Sequence, residues 1–181
     1  VVYAQNFDCG DCHSTLLPDL DGTEEADALA SRCMHVDSTR VDAFCREHGI
    51  FKSTIFTAAY SYLLAKYNNE QAALFSTIVS GRNDRRTAHT VGMLVKTVPV
   101  YAQFTNETTV LDFLKAGQEQ MTGCREHGLY AYTDAVNDLN LQIGTYFAWH
   151  GFVLDNVEVG GKHVQSEQLC NTTLGVPFFV K

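Results

Sequence analysis

The sequence has 181 residues, 45% of them hydrophobic and 19% charged, a size and balance that suit one compact domain with a sizeable core and argue against intrinsic disorder. Its net charge of −8 is unevenly placed: Asp8, Asp11, Asp19, Asp21, Glu24, Glu25 and Asp27 all fall in residues 1–31, which hold no Lys or Arg. The remainder is nearly neutral and offers no basic surface for nucleic acid. No apolar run approaches the ~20 residues that a membrane-spanning helix needs. No basic segment followed by an apolar one marks a secretory signal. The expectation is a cytoplasmic chain with no membrane partner. Val1 rather than Met at the start reads as a segment of a longer protein.

In chain order, residues 1–34 read as an acidic connector, with Pro18, Gly10 and Gly22 and no sustained period, and residues 35–181 as the folded unit. Residues 38–49 predict a helix capped by Ser38 or Thr39, with Val41, Phe44 and Cys45 on one face and Gly49 as the left-handed stop. A second helix is predicted at 53–67, capped by Ser53 or Thr54 and stopped by Asn68-Asn69; its Ile55, Phe56, Ala59, Tyr62, Leu63 and Tyr67 suggest a central core element. Residues 73–80 are β-branched and apolar and predict a strand ended by Gly81. A polar loop to Thr90 carries Arg82, Arg85 and Arg86, and residues 93–104 predict a second strand, with Pro99 marking a sheet edge. A third helix is expected at 109–124, capped by Thr108 or Thr109, with Val110, Leu111, Phe113, Leu114 and Met121 as core candidates and Gly128 as its stop. A short segment at 130–136, a strand at 142–149, a polar stretch and a final strand-like run at 176–181 follow. The pentapeptide Cys-Arg-Glu-His-Gly occurs at 45–49 and 124–128. Nothing around the copies repeats, so shared helix-ending chemistry, not duplication, is the reading.

Few residues form a constellation that could do chemistry. Cys9-Gly-Asp-Cys12-His13 could in principle begin a zinc or haem site, but zinc needs four ligands and only Cys9, Cys12 and His13 cluster. An acidic leader with incidental thiols is the simpler reading, and the six cysteines, irregularly spaced, read as reduced thiols. No nucleophile elbow, phosphate-binding loop, dinucleotide fingerprint or His-Glu-x-x-His string is present. The seven His are scattered, none with an evident partner that would orient a general base. Arg82, just past a strand end, is the most informative charge. It suits either ligand binding or a structural role fixing its own loop through carboxylate or carbonyl contacts, and the second is favoured.

The order of these blocks over residues 36–136 resembles the condensation domains of nonribosomal peptide synthetases. The paired helices from Ala43 to Tyr67, the strand Phe75-Ser-Thr-Ile-Val-Ser-Gly-Arg82, and Val91-Gly-Met-Leu-Val-Lys-Thr-Val-Pro-Val100 carry the resemblance. The last of these is similar to the family motif (I/V)GxFVNTxxxR. His127-Gly-Leu-Tyr-Ala-Tyr-Thr133 falls where the family has (H/N)QDYPFE. The departures are Leu94 for Phe, Lys96 for Asn, Tyr101 for Arg, Gly128-Leu129 for Gln-Asp and Ala131 for Pro.

The resemblance implies an α/β fold, a chloramphenicol-acetyltransferase-like two-layer sandwich, with this chain as the second, C-terminal lobe of a two-lobe acyltransferase domain. The family's HHxxxDG motif belongs to the first lobe, and no His-His pair occurs here. No catalytic residue is therefore expected in this chain, which alone should be inactive. The implied parent forms an amide between carrier-bound acyl and aminoacyl thioesters in secondary-metabolite biosynthesis. This lobe would supply tunnel wall and acceptor-side surface. Gly81, Arg82, Gly92, Lys96 and Thr97 are the expected tunnel or lobe-interface residues, and His127, Tyr130 and Tyr132 the remnant of the degraded motif. The implied partners are the N-terminal lobe, carrier proteins with their phosphopantetheine arms, adenylation domains and, through the exposed lobe face, a second copy; no cofactor is expected to bind directly. A non-catalytic interaction module of the same fold, or an acyltransferase using alcohol or coenzyme A acceptors, remain alternatives.

Overall fold

The computed structural model describes Met34, residues 36–82, 84–127, 130–149 and 158–163, and the backbone of 178–180. Helix α1 (Ser38–His48) and helix α2 (Lys52–Tyr67) lead into strand β1 (Ala72–Val79), the short helix α3 (Arg85–Ala88) and strand β2 (Lys96–Gln103). Helix α4 (Val110–Glu126), helix α5 (Tyr132–Asp138) and strand β3 (Thr145–Phe147) follow. A small hairpin of β4 (Glu158–Val159) and β5 (Lys162–His163) and the strand β6 (Phe178–Val180) complete the described elements.

The main sheet has the order β2-β1-β3-β6. β1 runs antiparallel to β2, from Ala72 opposite Gln103 to Val79 opposite Lys96, and parallel to β3, which is parallel to β6. Within this sheet β2 is an edge, and Pro99, opposite Ser76, sits where a missing N–H costs least. Successive strand residues face opposite sides. Phe75 meets Tyr60 of α2, whereas the neighbouring Ser76 bonds Tyr132 of α5. Helices α1, α2 and α4 therefore form the main helical layer on one face of the sheet, and α5 lies on the other.

The core sits where α2 crosses β1. Leu64, Ala65 and Phe75 are fully enclosed, and Tyr60 stands edge-on to Phe75 (5.0 Å) and stacked on Phe147 (5.2 Å). Each such ring contributes about 1.5–3 kcal/mol by burial, and ring geometry adds about 0.5–1.5 kcal/mol per pair. Burial pushes the Tyr60 phenol up to about 12, an effect the Thr145 hydroxyl partly offsets. A second cluster of Ile50, Ala58 and Leu114, with Phe44 and Ile55 against it, joins α1, α2 and α4.

The structure revises several boundaries. Asp37, not Ser38 or Thr39, caps α1, its carboxylate accepting from the Thr39 N–H at 3.0 Å. No side chain of its own segment caps α2; neither Ser53 nor Thr54 does so. Instead Gln118 reaches across from α4, accepting from the Phe51 N–H (2.8 Å) and donating to the Gly49 carbonyl (3.0 Å). Gly49 takes the left-handed conformation, φ 65°, that its place at the end of α1 predicted. Of the α2 tyrosines only Tyr60 is buried; Tyr62 and Tyr67 face solvent, as does Leu63. Val110 is 75% exposed rather than in the core, because it lines an open groove between α1, α2 and the start of α4 that nothing among the described residues fills. The second strand begins at Lys96 rather than 93 and β3 spans three residues rather than eight; the segment at 130–136 is helical, and the polar stretch holds the β4–β5 hairpin. Both pentapeptide copies end a helix, the second with His127 as the cap of α4; Gly128 lies outside the described residues.

Candidate functional site

The five residues singled out near the strand ends are brought together at one end of the β1–β2 pair. β1 ends at Val79, and the Ser80 hydroxyl accepts from the Arg82 N–H at 3.2 Å. Gly81 is obligatory for a steric reason: a Cβ there would lie 2.0 Å from the Leu94 carbonyl oxygen. The outgoing and returning arms of the loop thus touch backbone to backbone, and no side chain fits between them.

Arg82 closes the loop. Its Nη1 donates to the Thr87 carbonyl (2.7 Å) and the Thr90 carbonyl (2.6 Å), and its Nη2 to the Gly92 carbonyl (3.0 Å). The planar guanidinium satisfies three acceptors from positions five to ten residues ahead, a fork geometry that Lys cannot copy. This is the structural role, through carbonyl contacts, that the sequence favoured for Arg82. Inside the loop, Asp84 and Thr87 cap α3 reciprocally: the Thr87 N–H donates to Asp84 Oδ1 (2.7 Å) and the Asp84 N–H to Thr87 Oγ1 (3.1 Å). These bonds hold the Asp84 carboxyl below its ordinary value of 3.8.

The loop so fixed presents apolar side chains to solvent. Val91 is fully exposed and Met93 91% exposed, with Val95 half-exposed. Lys96 opens β2 opposite Val79, and Thr97 follows opposite Ile78. Their side chains leave opposite faces of the sheet, Lys96 on the helical-layer side and Thr97 on the side of Ser76 and Pro99.

The second group, His127, Tyr130 and Tyr132, divides. His127 is exposed at the end of α4. The Tyr130 hydroxyl donates to the Asp138 carboxylate across α5, and this bond raises its pKa. Tyr132 turns inward to the Ser76 side chain; burial raises its pKa and that bond partly offsets the rise. Tyr132 therefore shares the sheet face of Thr97, whereas His127 and Tyr130 do not join the loop. The signals the sequence lacked were the Ser76–Tyr132 contact and the Asp84–Thr87 box, of which only the box had a local pattern that could have been found.

Cys9, Cys12 and His13 lie outside the described residues. Among the described residues no group of three or more His, Cys, Asp or Glu could hold a metal ion, and no helix is long and apolar enough to cross a membrane. Cys45 and Cys124 are free thiols, and burial pushes Cys124 up to about 11, away from thiolate chemistry.

A family profile described as Condensation domain matches residues 11–177. A linear gramicidin synthase of Brevibacillus parabrevis is 30% identical over 127 residues, 69% of this chain and 2% of that protein. A plipastatin synthase of Bacillus subtilis (strain 168) is 27% identical over 141 residues, 77% of this chain and 5% of that protein. The chain thus spans a few per cent of the length of these relatives. Among solved structures, the first condensation domain of the CDA synthetase superposes with a TM-score of 0.59 at 17% identity, covering 67% of this chain and 29% of that one. A four-domain nonribosomal peptide synthetase bound to AMP and glycine gives 0.59 at 19% identity, covering 70% of this chain and 11% of that one. These likenesses are in fold.

Proposed function

The chain belongs to the condensation-domain family, and from that premise we propose that it is the C-terminal lobe of such a domain in a nonribosomal peptide synthetase. In the parent, the amine nitrogen of a carrier-bound aminoacyl group would bond to the carbonyl carbon of an upstream acyl thioester. The C–S bond breaks, the amine gives up a proton and the upstream pantetheine thiol is released. This lobe would contribute surface rather than a reacting group. Both thioesters would arrive on the phosphopantetheine arms of partner carriers, which the adenylation domains of the same assembly load.

The observation that carries this reading is the Arg82 loop. A polar scaffold of three carbonyl bonds and a reciprocal cap holds Val91 and Met93 out into solvent. Exposed apolar side chains on a fixed loop are the signature of a surface that meets a partner. The N-terminal lobe of the same domain is the partner proposed. Left without it, the chain should self-associate through that loop. Lys96 in place of the family's Asn gives a second reading, a non-catalytic module of the same fold, because a cation at that strand end alters the wall.

The test is amide formation by the parent synthetase with both carriers loaded. Arg82→Ala is expected to lower product formation at least tenfold while carrier loading stays unchanged. Amide formation at the unsubstituted rate would overturn the reading. No amide from the unsubstituted parent, with both carriers fully loaded, would favour the non-catalytic module.

A further inference from the structure

An open groove of about 1120 Å³ runs between α1, α2 and the start of α4, past the Gln103 end of β2, the end opposite Lys96 and the Arg82 loop. Phe44, Tyr62, Phe104, Val110 and Phe113 give it an apolar wall, and Arg40 and Lys66 put two cations on it. Asp37 also lines it, but its carboxylate is engaged as the cap of α1. Lys66 lies over the Tyr62 and Phe104 rings at 5.4 and 5.3 Å, and among the described residues neither Arg40 nor Lys66 pairs with a carboxylate. Tyr62 and Val110 are half or more exposed there, and so is Val36, which also lines the groove. An apolar trough with unmatched positive charge is a surface lacking its cover.

We propose that the cover is the chain's own acidic segment, residues 16–33. Three observations point to it. Val36 and Asp37 line the groove, so the segment enters there without a connection. The segment carries Leu16, Leu17, Leu20 and Leu29 interleaved with Asp19, Asp21, Glu24, Glu25 and Asp27, and no base before Arg32; these are the apolar and anionic groups that the trough and its cations lack. The Condensation domain match starts at residue 11, which puts the segment inside the same domain as the groove. Reach is no obstacle: α1, which flanks the groove, has 11 residues and is about 16 Å long, a distance about five extended residues span. The five carboxylates of the segment, Asp19, Asp21, Glu24, Glu25 and Asp27, then neutralise Arg40 and Lys66 within the same chain.

Carbodiimide coupling of the full 181-residue chain tests this, because it joins only amines and carboxylates already in contact. An equal mixture of ¹⁴N- and ¹⁵N-labelled chain is coupled and the linked peptides are read by mass spectrometry. The expected result is a link from Lys66 to an acid among Asp19–Asp27, with both peptides carrying the same label. Leu20→Asp with Leu29→Asp should cut the yield at least fivefold, and so should Val110→Asp, a change at an exposed site that leaves the core untouched. Mixed-label links would assign the groove to a second copy and overturn the proposal. So would Lys66 remaining unlinked while other lysines couple, or a yield indifferent to the leucine and valine substitutions.

Discussion

Phe75 and Arg82 belong to one strand and the turn that follows it, yet they are held in opposite ways. Phe75 has no exposed surface and is fixed by Tyr60 and its apolar neighbours. Arg82 is exposed and fixed by three backbone carbonyls. The difference follows from what each region must do. A core is stabilised by removing apolar area from water and tolerates no vacancy. A loop that keeps Val91 and Met93 in solvent has no such area to bury, so its shape has to come from directional bonds and a forbidden Cβ. The same chain thus pairs a hydrophobic scaffold with a polar one, and the polar one carries the candidate interface.

Substitutions separate the two regions. The largest effect is expected in the core: Phe75→Ala should cost about 3–5 kcal/mol of global stability by denaturant unfolding, from lost transfer energy and the cavity left beside Tyr60. A loss under about 1 kcal/mol would mean that β1 is not the centre of the fold. Next comes Gly81→Ala. Its new Cβ must displace the Leu94 carbonyl, now 2.0 Å from that position, at about 1–3 kcal/mol. The change should appear as faster amide exchange around Val91–Val95 with β1 protection retained; uniform loss along β1 would merge the two regions.

The smallest effect is a pH dependence confined to α3. The folded Asp84 carboxyl sits below its ordinary value of 3.8 because it accepts bonds from Thr87. Its contribution is therefore present above that value and is lost as pH falls through the lower, folded one. Protection of the Thr87 and Ala88 amides, taken relative to their intrinsic exchange rates at each pH, should be steady from about pH 5 to 8 and fall only in stronger acid, before the core unfolds. Asp84→Asn should remove that acid step.

The sequence carried most of the scaffold because its signals were local. The β-branched run of β1, the asparagine pair that stops α2 and Gly49 at the end of α1 all act through neighbours in the chain. The resemblance to condensation domains rested on blocks whose order survives substitution. What escaped was set by residues far apart. Gln118 caps α2 from about 67 residues away, so Ser53 and Thr54 looked like caps only in isolation. Val110 looked like a core residue because periodicity does not show which turn of a helix its neighbours leave uncovered. At the site, Arg82's structural role was readable from its place after a strand. The carbonyls it would choose, and the contact between Gly81 and Leu94, appear only once β1 and β2 are paired.

The central claim is that the Arg82 loop meets the N-terminal lobe of the same domain. A benzophenone amino acid placed at Met93 in the parent synthetase tests it most directly, since that side chain is 91% exposed here and its replacement disturbs no core contact. On irradiation, the expected product is a cross-link from position 93 to a residue upstream of this chain in the same polypeptide, weakened when Arg82→Ala releases the loop. Cross-links only to other polypeptides, or none at all while the folded parent is intact, would contradict it.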